Sequence, residues 1–461
     1  MTLESRRTSR MAYDKVGNIT GTTTPNGNAA TQAFDALDRL VSTVAPDSGT
    51  IARGYDARDN LTSHTDPKSV TTQFVHNGFG DVIQEVSPDR GTSIYWYDTA
   101  GEMIQSQDGR GDSVGRIGAI TDASGTTQFK YDHRGNMLIQ QQAIGSSGTA
   151  QLAYEYDLAD RVTQVTYPSG RMVHYGYDAK GRVNLVETKA SAGVGSWTTL
   201  SSSYTYEPFG PVKAMTLGNG LSVANDWGDD GRLASRRLYR TSGGANLSYL
   251  SYAYDADDNI AAIRDQLNDA NSLYYGYDAN GRLKLTSLVA GSPAAASESY
   301  AYASGTNRLS SVTNASGTRS ISYDGRGNTS SETRPGSVSA STSYDGYGRL
   351  TAYARTDVGT LSFVYNGQDD RVAMTSGTGT RRFVYDPGGR VLGEYGVSAN
   401  DVHAEYIWAL PEVANDNGVF GGDDGVGGYA PLSIATPDSG GTIQLNWVHG
   451  KADWRIINQY S

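Results

Sequence analysis

Short runs in which hydrophobic and polar residues alternate recur along the whole chain. Residues 152–156 (LAYEY) and 361–365 (LSFVY) are two of them. Alternation over a few residues is typical of β-strands that are buried on one side. Helical spacing of apolar residues is not sustained anywhere in the sequence, and the 56 glycines disfavour long helices. The pattern therefore predicts an all-β protein.

A short phrase closes each alternating run. It consists of an aromatic residue, an acidic or small polar residue, two variable residues, Gly, Arg or Asn, and an aliphatic residue, as at 177–183, 277–283 and 344–350. The modal spacing between copies is 21 residues, which indicates a repeat architecture. The first residue of the phrase falls at positions 13, 34, 55, 76, 97, 131, 156, 177, 206, 227, 254, 277, 302, 323, 344, 365 and 385.

The phrase itself predicts a turn. An Asp side chain can accept hydrogen bonds from the backbone two residues later, and Gly adopts positive φ without steric cost. The aliphatic residue then begins a return strand, and a second turn rich in Pro, Asp and Gly ends it, as at 88–91 and 167–170. We call these the phrase turn and the reverse turn. One repeat is thus a β-hairpin, and about 17 tandem hairpins over residues 1–410 should form one long curved sheet, a partial spiral shell or barrel.

The best-preserved copies supply the residues to which we assign a role, and that role is structural. Their Tyr, Asp, Gly and Arg side chains are expected to build the repeat turns. These residues are Tyr131, Asp132, Gly135, Tyr177, Asp178, Gly181, Arg182, Tyr277, Asp278, Gly281, Arg282, Tyr323, Asp324, Gly327, Tyr344, Asp345, Gly348, Arg349, Tyr385, Asp386, Gly389 and Arg390.

Composition narrows the classes of function. A net charge of −11 disfavours nucleic acid as a partner, because phosphate binding needs a clustered basic surface. The absence of Cys excludes disulfides and thiolate chemistry. No apolar run is long enough to span a membrane, and the first residues lack the apolar core of a signal peptide. The 31 Tyr against 8 Phe suit a sheet face that is packed yet borders a solvated space.

Other candidate sites have weaker support. Residues 255–259 begin like an EF-hand loop, but Ile260 and Gln266 stand where Gly and Glu are needed. The glycine-rich stretch 421–428 and the tripeptide Arg110-Gly111-Asp112 are single short matches. The six His do not pair at a metal-binding spacing, and no nucleophile motif or phosphate-binding loop is present. We therefore expect no cofactor, no metal and no catalytic residue.

The Tyr-Asp phrase, with Gly-Arg and the 21-residue period, closely resembles the bacterial RHS (rearrangement hot spot) or YD repeat, over about residues 11–410. Residues 385–395 and 405–408 are similar to the approach to the family's core segment. The resemblance implies a hollow β-shell, as in insecticidal toxin complexes, polymorphic toxins and the related teneurins. In the toxins such a shell encloses a C-terminal effector, and the core segment cleaves itself with aspartates.

The end of the chain departs from that pattern. Residues 445–450 are similar to the stretch before the core motif, but residues 451–461 do not continue it. We therefore interpret 411–461 as a Gly-rich linker and the truncated start of a core segment. Self-cleavage is not expected to carry over.

Three functions remain open at this point. The first is a non-catalytic shell segment that encapsulates or scaffolds an effector or toxin polypeptide, or joins the rest of a shell. The second is a secreted or cell-surface adhesin that binds carbohydrate through exposed Tyr and Asp. The third is a self-processing enzyme. The family resemblance favours the first and implies a secreted or surface location.

Overall fold

A run of β-hairpins makes up nearly all of the described chain in a computed structural model. The structure describes residues 8–25, 27–46, 49–97, 115–144, 148–208, 210–289, 296–396, 398–409, 433–437 and 443–447. One short 3-10 helix, Asp269–Asn271, interrupts the strands. The expectation of an all-β fold is confirmed.

Thirty-seven strands form a single sheet. They are β1 (Arg10–Tyr13), β2 (Ile19–Thr23), β3 (Ala29–Phe34), β4 (Leu40–Ala45), β5 (Gly49–Tyr55), β6 (Leu61–Thr65), β7 (Thr71–His76), β8 (Val82–Ser87), β9 (Gly91–Tyr97), β10 (Ile117–Asp122), β11 (Gly125–Tyr131), β12 (Met137–Ile144), β13 (Thr149–Tyr156), β14 (Val162–Thr166), β15 (Met172–Tyr177), β16 (Val183–Lys189), β17 (Thr198–Tyr206), β18 (Val212–Leu217), β19 (Leu221–Trp227), β20 (Leu233–Arg240), β21 (Asn246–Tyr254), β22 (Ile260–Asp265), β23 (Leu273–Tyr277), β24 (Leu283–Ser287), β25 (Ala296–Tyr302), β26 (Leu309–Asn314), β27 (Gly317–Tyr323), β28 (Thr329–Arg334), β29 (Val338–Tyr344), β30 (Leu350–Arg355), β31 (Gly359–Tyr365), β32 (Arg371–Ser376), β33 (Gly379–Tyr385), β34 (Val391–Tyr395), β35 (Val402–Ile407), β36 (Ser433–Pro437) and β37 (Ile443–Trp447).

Each strand pairs antiparallel with its neighbours in the chain, and β1 and β37 have one such neighbour each, so the sheet is a continuous meander. All 17 phrase positions are the last residue of an odd-numbered strand, from Tyr13 in β1 to Tyr385 in β33. The pairing register shifts at this last residue in most repeats, for example between Gly176 and Tyr177. A bulge of this kind increases the local twist of a strand, and its repetition curves the whole ribbon.

One face of the ribbon carries an aromatic residue two positions before the phrase tyrosine in most repeats. Tyr95, Tyr154, Tyr175, Tyr252 and Tyr275 lie on this side, which we call the tyrosine face. Its side chains are mostly buried or half-buried. The opposite face leaves apolar side chains in solvent, such as Trp96, Val75 and Val364. The alternation in the sequence therefore separates a packed face from a wet one.

The ribbon coils on itself. The phrase turn between β27 and β28 contacts the reverse turn between β6 and β7, so these neighbours are 21 strands apart. The phrase turn between β31 and β32 contacts the reverse turn between β10 and β11, again 21 strands earlier. With strands ~4.8 Å apart, one coil has a circumference of roughly 100 Å. We call β1–β21 the first coil and the later strands the second coil.

Apolar packing is concentrated in one part of the coil. Buried side chains of β13–β19 on the first coil, including Leu152, Val173 and Leu200, meet Val384, Leu392 and Ile407 of β33–β35. The chain contains too few aliphatic residues for a thick core along its whole length. The rest of the described ribbon accordingly has no comparable cluster of buried apolar side chains. This local core exists because the last strands pack against the tyrosine face of the first coil.

Two strands, β36 and β37, lie within the stretch 411–461 and extend the same sheet from β35. The interpretation of this stretch as a linker followed by a truncated core segment remains a prediction. The glycine-rich residues 421–428 and the tripeptide at 110–112 lie outside the described residues.

Candidate functional site: the repeat turns and the seam between coils

The phrase turn at 178–182 shows how the sequence builds each repeat. One carboxylate oxygen of Asp178 accepts the backbone N–H groups of Lys180 at 2.8 Å and Arg182 at 2.9 Å. The other oxygen accepts the Arg182 guanidinium at 2.8 and 3.0 Å. Gly181 has a φ of 84°, the left-handed region that an L side chain strains to enter. The backbone N–H of Arg182, and then its guanidinium, hold the pKa of Asp178 below its usual value.

The structure places the other assigned residues in equivalent turns. The six assigned glycines, Gly135, Gly181, Gly281, Gly327, Gly348 and Gly389, all have positive φ. The carboxylates of Asp132, Asp278, Asp324, Asp345 and Asp386 accept the backbone N–H groups two and four residues later. Arg282, Arg349 and Arg390 each bind the Asp of their own turn.

Five repeats replace the turn glycine by Asp in the same left-handed conformation. They are Asp38, Asp59, Asp160, Asp258 and Asp369, with φ between 60 and 68°. A favourable contact accompanies the backbone strain in each case, because a side chain from the preceding repeat binds the Asp carboxylate. Arg39 pairs with Asp59 at 2.9 Å, and Arg349 pairs with Asp369 at 2.7 Å. An Asp at this turn position therefore takes part in a contact between consecutive repeats.

Consecutive repeats are joined by a contact that the sequence pattern does not predict. The guanidinium of Arg161 lies over the ring of Tyr177 in the next repeat, 4.5 Å from its centre. The hydroxyl of Tyr177 in turn donates to the carbonyl oxygen of Val162, the aliphatic residue that follows Arg161, at 2.6 Å. The Arg and the aliphatic residue of one phrase therefore form the surface on which the aromatic residue of the next phrase packs. A cation over an aromatic ring contributes ~0.5–1 kcal/mol at exposed sites.

The same link recurs along the ribbon. Arginine over the next aromatic ring is found for the pairs Arg39–Tyr55, Arg182–Tyr206, Arg232–Tyr254, Arg282–Tyr302, Arg349–Tyr365 and Arg390–Trp408. The aromatic side chain donates to the preceding repeat's carbonyl at Tyr55, Tyr131, Tyr156, Tyr206, Trp227, Tyr254, Tyr277, Tyr302, Tyr323, Tyr365, Tyr385 and Trp408.

Two positions depart from expectation. The hydroxyl of Tyr344 has no hydrogen-bond partner among the described residues, because Thr342 donates to the Thr329 carbonyl that Tyr344 would otherwise reach. Trp408 was not counted as a repeat residue, since no Asp or Gly follows it. Its indole nevertheless donates to the Val391 carbonyl at 3.0 Å. Trp408 thus occupies an eighteenth aromatic position.

The seam between coils is formed by phrase turns of the second coil seated on reverse turns of the first. Arg326 is only 7% exposed at its side chain and pairs with Asp66 across the seam. Lys68 of the same reverse turn pairs with Asp324. A further hydrogen bond joins Asn28 Nδ2 and Asn307 Oδ1 at 3.1 Å, although 279 residues separate the two in sequence.

The next phrase turn along the seam adds an aromatic contact. The hydroxyl of Tyr347 donates to Glu85, and the guanidinium of Arg90 lies 3.9 Å from the centre of the Tyr347 ring. Arg90 also pairs with Asp369 at 2.8 Å and with Glu85. Tyr95 donates to the carbonyl of Gly367 at 3.1 Å. Acidic and basic groups from both coils are therefore interleaved, which fixes the register of one coil on the other.

The last strands are fastened to the tyrosine face by a buried ion pair. Glu405 on β35 is fully buried and accepts Arg171 Nε at 2.7 Å, Ser169 Oγ at 2.5 Å and Tyr395 Oη at 2.9 Å. Tyr175 donates to the carbonyl of Trp408. Burial, then the charge of Glu405, raises the pKa of Tyr395, so this phenol stays a neutral donor. These residues were missed because they come together only when β35 reaches the first coil.

The calcium-loop candidate at 255–259 is built as a repeat turn. Asp255 accepts the backbone N–H groups of Asp257 and Asn259, both at 2.9 Å, so the stretch that resembles a calcium loop is a phrase turn. Among the described residues no three His, Asp or Glu side chains are grouped as metal ligands. No helix in the described ranges is long and apolar enough to cross a membrane.

Comparison with known proteins agrees with this picture. A family model described as RHS Repeat matches residues 13–50, 55–92 and 156–194. No curated protein sequence matches the chain. A structure of the Photorhabdus luminescens Tc holotoxin pore is similar in fold, with a TM-score of 0.63 and 15% identity over 87% of this chain and 26% of that one.

Two crystal structures show the same likeness. The structure of TcdB2-TccC3 gives a TM-score of 0.59 at 15% identity, covering 96% of this chain and 30% of that one. The structure of TcdB2-TccC3-Cdc42 gives 0.59 at 13% identity, covering 87% and 26%. Our chain thus spans less than a third of the length of these structures.

Proposed function

We propose that this chain, which is an RHS-repeat protein, serves as a non-catalytic segment of a shell wall that encloses or scaffolds another polypeptide. The observation that carries the proposal is the seam, because it converts a flat ribbon into a wall of stacked coils. The contacts between repeats and between coils are made by the side chains that define the repeat. These side chains therefore have a structural role in the wall.

We infer that the tyrosine face is the concave one. Side chains of this face reach the later strands, since Glu85 accepts a hydrogen bond from Tyr347 of the second coil and Tyr175 donates to the carbonyl of Trp408. A ribbon whose later strands meet one face is curved toward that face. The Tyr-lined surface would then border the enclosed space.

The size of the coil limits what it can enclose. A circumference of roughly 100 Å corresponds to a diameter of ~32 Å at the sheet, and side chains reduce the open width to ~22 Å. A folded domain of 100 residues has a radius of gyration of ~13 Å and would not fit within one coil of this width. An extended or unfolded polypeptide would fit. We propose that the enclosed partner is an effector or toxin chain held in such a state.

The last strands would then close part of the enclosed space. β33–β35 cover the tyrosine face of β13–β19 and are held there by the pair Arg171–Glu405. Buried ionic groups of this kind fix one arrangement of packed elements when all their hydrogen bonds are made. By family resemblance we propose a secreted or cell-surface location for the assembled shell.

Carbohydrate binding by the tyrosines has less support than a shell role. Sugar recognition needs an accessible ring face, whereas arginines cover rings such as Tyr177, Tyr206 and Tyr302. The hydroxyls of these three tyrosines already donate to backbone carbonyls. The repeating tyrosines are therefore explained by the wall itself.

Protease protection tests the proposal. An unfolded reporter peptide is fused to the C terminus of the full chain and exposed to a protease that cuts only the reporter. We expect slower cleavage than for the same reporter at the N terminus, and loss of this protection in the seam variant Arg326→Ala/Tyr347→Ala. Equal cleavage rates at both termini of the wild-type protein would overturn the proposal.

A further inference from the structure

The phrase turns that sit on the seam share a glycine directly after the acidic position. Gly325, Gly346 and Gly367 occupy this place in three consecutive second-coil turns. None of the three has a positive φ, so backbone conformation does not require glycine there. At two of the three positions, the available space requires glycine. A Cβ on Gly346 would lie 2.6 Å from Asp89 Oδ1, and one on Gly367 would lie 2.7 Å from Ile120 Cγ2.

One more turn carries the same glycine, and it lies on the free edge of the first coil. In the turn 77–81, Gly78 also lacks a positive φ, and a Cβ there would meet nothing within 4 Å. The next residue, Phe79, is 89% exposed, whereas its counterpart Tyr347 packs under Arg90. Turn 77–81 thus has the shape of a seam turn without the surface that a seam turn contacts.

The local geometry of the two turns is the same. Asn77 Oδ1 accepts the N–H groups of Phe79 and Asp81 at 2.8 and 3.0 Å, as Asp345 Oδ1 accepts those of Tyr347 and Arg349 at 3.0 Å each. The two turns therefore present the glycine and the aromatic residue in the same way.

The chain itself contains a free reverse turn that would complete the seam. The turn 355–359 of the second coil resembles the turn 87–91 that receives Tyr347. In both, the fourth residue donates its N–H to the first residue's carbonyl, and the fifth is a glycine with φ of 81 or 88°. Asp357 stands where Asp89 lies beneath Gly346, and Val358, 58% exposed, stands where Arg90 covers Tyr347.

The free pair of turns differs from the internal seam pair in two side chains, and the two replacements match each other. In the internal seam a tyrosine meets an arginine, Tyr347 with Arg90. In the free pair an apolar ring would meet an apolar side chain, Phe79 with Val358. The free pair thus repeats the backbone geometry of the internal seam, with an apolar contact in place of the contact between Tyr347 and Arg90.

We propose that turn 77–81 of one copy of this chain docks on turn 355–359 of a second copy, with Phe79 against Val358 and Gly78 over Asp357. The two surfaces differ, so the contact is heterologous and continues the stacking of coils from one molecule to the next. The proposal concerns self-association and does not depend on an enclosed polypeptide.

Sedimentation velocity over a wide range of protein concentration tests this inference. The wild-type protein is expected to show a sedimentation coefficient that rises with concentration. Phe79→Asp and Val358→Asp should each weaken the association by about tenfold or more, since each buries a charge against an apolar side chain. Leu158→Asp is the matched control, because Leu158 is 93% exposed on the same edge in a turn without the glycine. It should leave the association unchanged.

A mixing experiment separates docking from misfolding. Phe79→Lys and Val358→Asp proteins should each remain monomeric alone and should associate when mixed, because Phe79 of the second protein then meets Val358 of the first, and lysine faces aspartate at the other contact. Unchanged thermal unfolding of the single variants confirms their fold. A wild-type protein that stays monomeric at every concentration, or a Phe79→Asp variant that associates like wild type, would overturn the proposal.

Discussion

The hydroxyl of Tyr177 donates a hydrogen bond to the carbonyl oxygen of Val162 in the preceding repeat, at 2.6 Å. This contact explains why the phrase begins with an aromatic residue that carries a donor and ends with an aliphatic residue after Arg. The first residue of one phrase rests on the last two residues of the phrase before it. The residues that define the phrase are therefore the residues that form the interface between neighbouring repeats.

Replacing Tyr177 by Phe tests that interface. The change removes one hydrogen bond and keeps the ring under Arg161, so we expect the free energy of unfolding to fall by about 1 kcal/mol. Tyr239→Phe is the control, since its hydroxyl has no hydrogen-bond partner among the described residues. Chemical denaturation of both variants measures the difference. Equal stability of the two would show that the Tyr177 hydroxyl does not contribute.

The left-handed turn position gives a second prediction. Gly281 has a φ of 76°, and a branched side chain there is strained. We expect Gly281→Val to destabilise the protein by more than ~1 kcal/mol, measured by thermal or urea unfolding. Ala279→Val, an exposed position of the same turn without positive φ, should change stability little. An unchanged melting temperature for Gly281→Val would contradict the turn geometry.

The buried pair Arg171–Glu405 gives a third prediction. Glu405→Ala leaves a buried guanidinium without its carboxylate, so we expect a loss of ~3–5 kcal/mol. The loss should be local at first, with faster hydrogen exchange in β34 and β35 and a red shift of fluorescence from the buried Trp408. Glu207→Ala, which breaks the exposed pair with Lys213, is the control and should cost less than ~1 kcal/mol. Slow exchange in β35 of the Glu405 variant would refute the role of the pair.

Asp370 gives a prediction about pH. Burial, and then the charges of Asp369 and Asp386, raise the pKa of Asp370 from 3.8 to about 6, against a hydrogen bond from Asn366. The folded state therefore holds this proton more tightly than the unfolded state. The stabilising contribution is complete below 3.8 and is lost as pH rises through about 6.

Asp370→Asn removes this titration. The variant should gain stability relative to wild type as pH rises through that window, by an amount on the order of 1 kcal/mol. Urea unfolding of both proteins at acidic and neutral pH measures the change. Asp357→Asn is a control of opposite sign, since the Arg355 guanidinium lowers the pKa of Asp357. A pH-independent difference between wild type and Asp370→Asn would contradict the account.

The sequence predicts the hairpins well because their determinants are local. Each phrase aromatic ends a strand, and turn glycines such as Gly181 and Gly281 have positive φ, since a few neighbouring residues decide both features. The seam could not be predicted in the same way. Which reverse turn meets Arg326 depends on the number of strands in a coil, and that number comes from small twists summed over 21 strands. The partner of Glu405 was missed for the same reason, whereas Trp408 was missed because no Asp or Gly follows it.

A cross-link between the coils tests the central claim most directly. The wild-type chain contains no Cys, so the double variant Asn28→Cys/Asn307→Cys carries only the engineered pair, at positions whose side chains are 3.1 Å apart across the seam. A short thiol cross-linker should join them within one molecule in high yield, and mass spectrometry after digestion should identify the linked peptides. The pair Asn28→Cys/Asn259→Cys serves as the control and should not be joined. Failure to link residues 28 and 307 within a folded monomer would contradict the coiled ribbon.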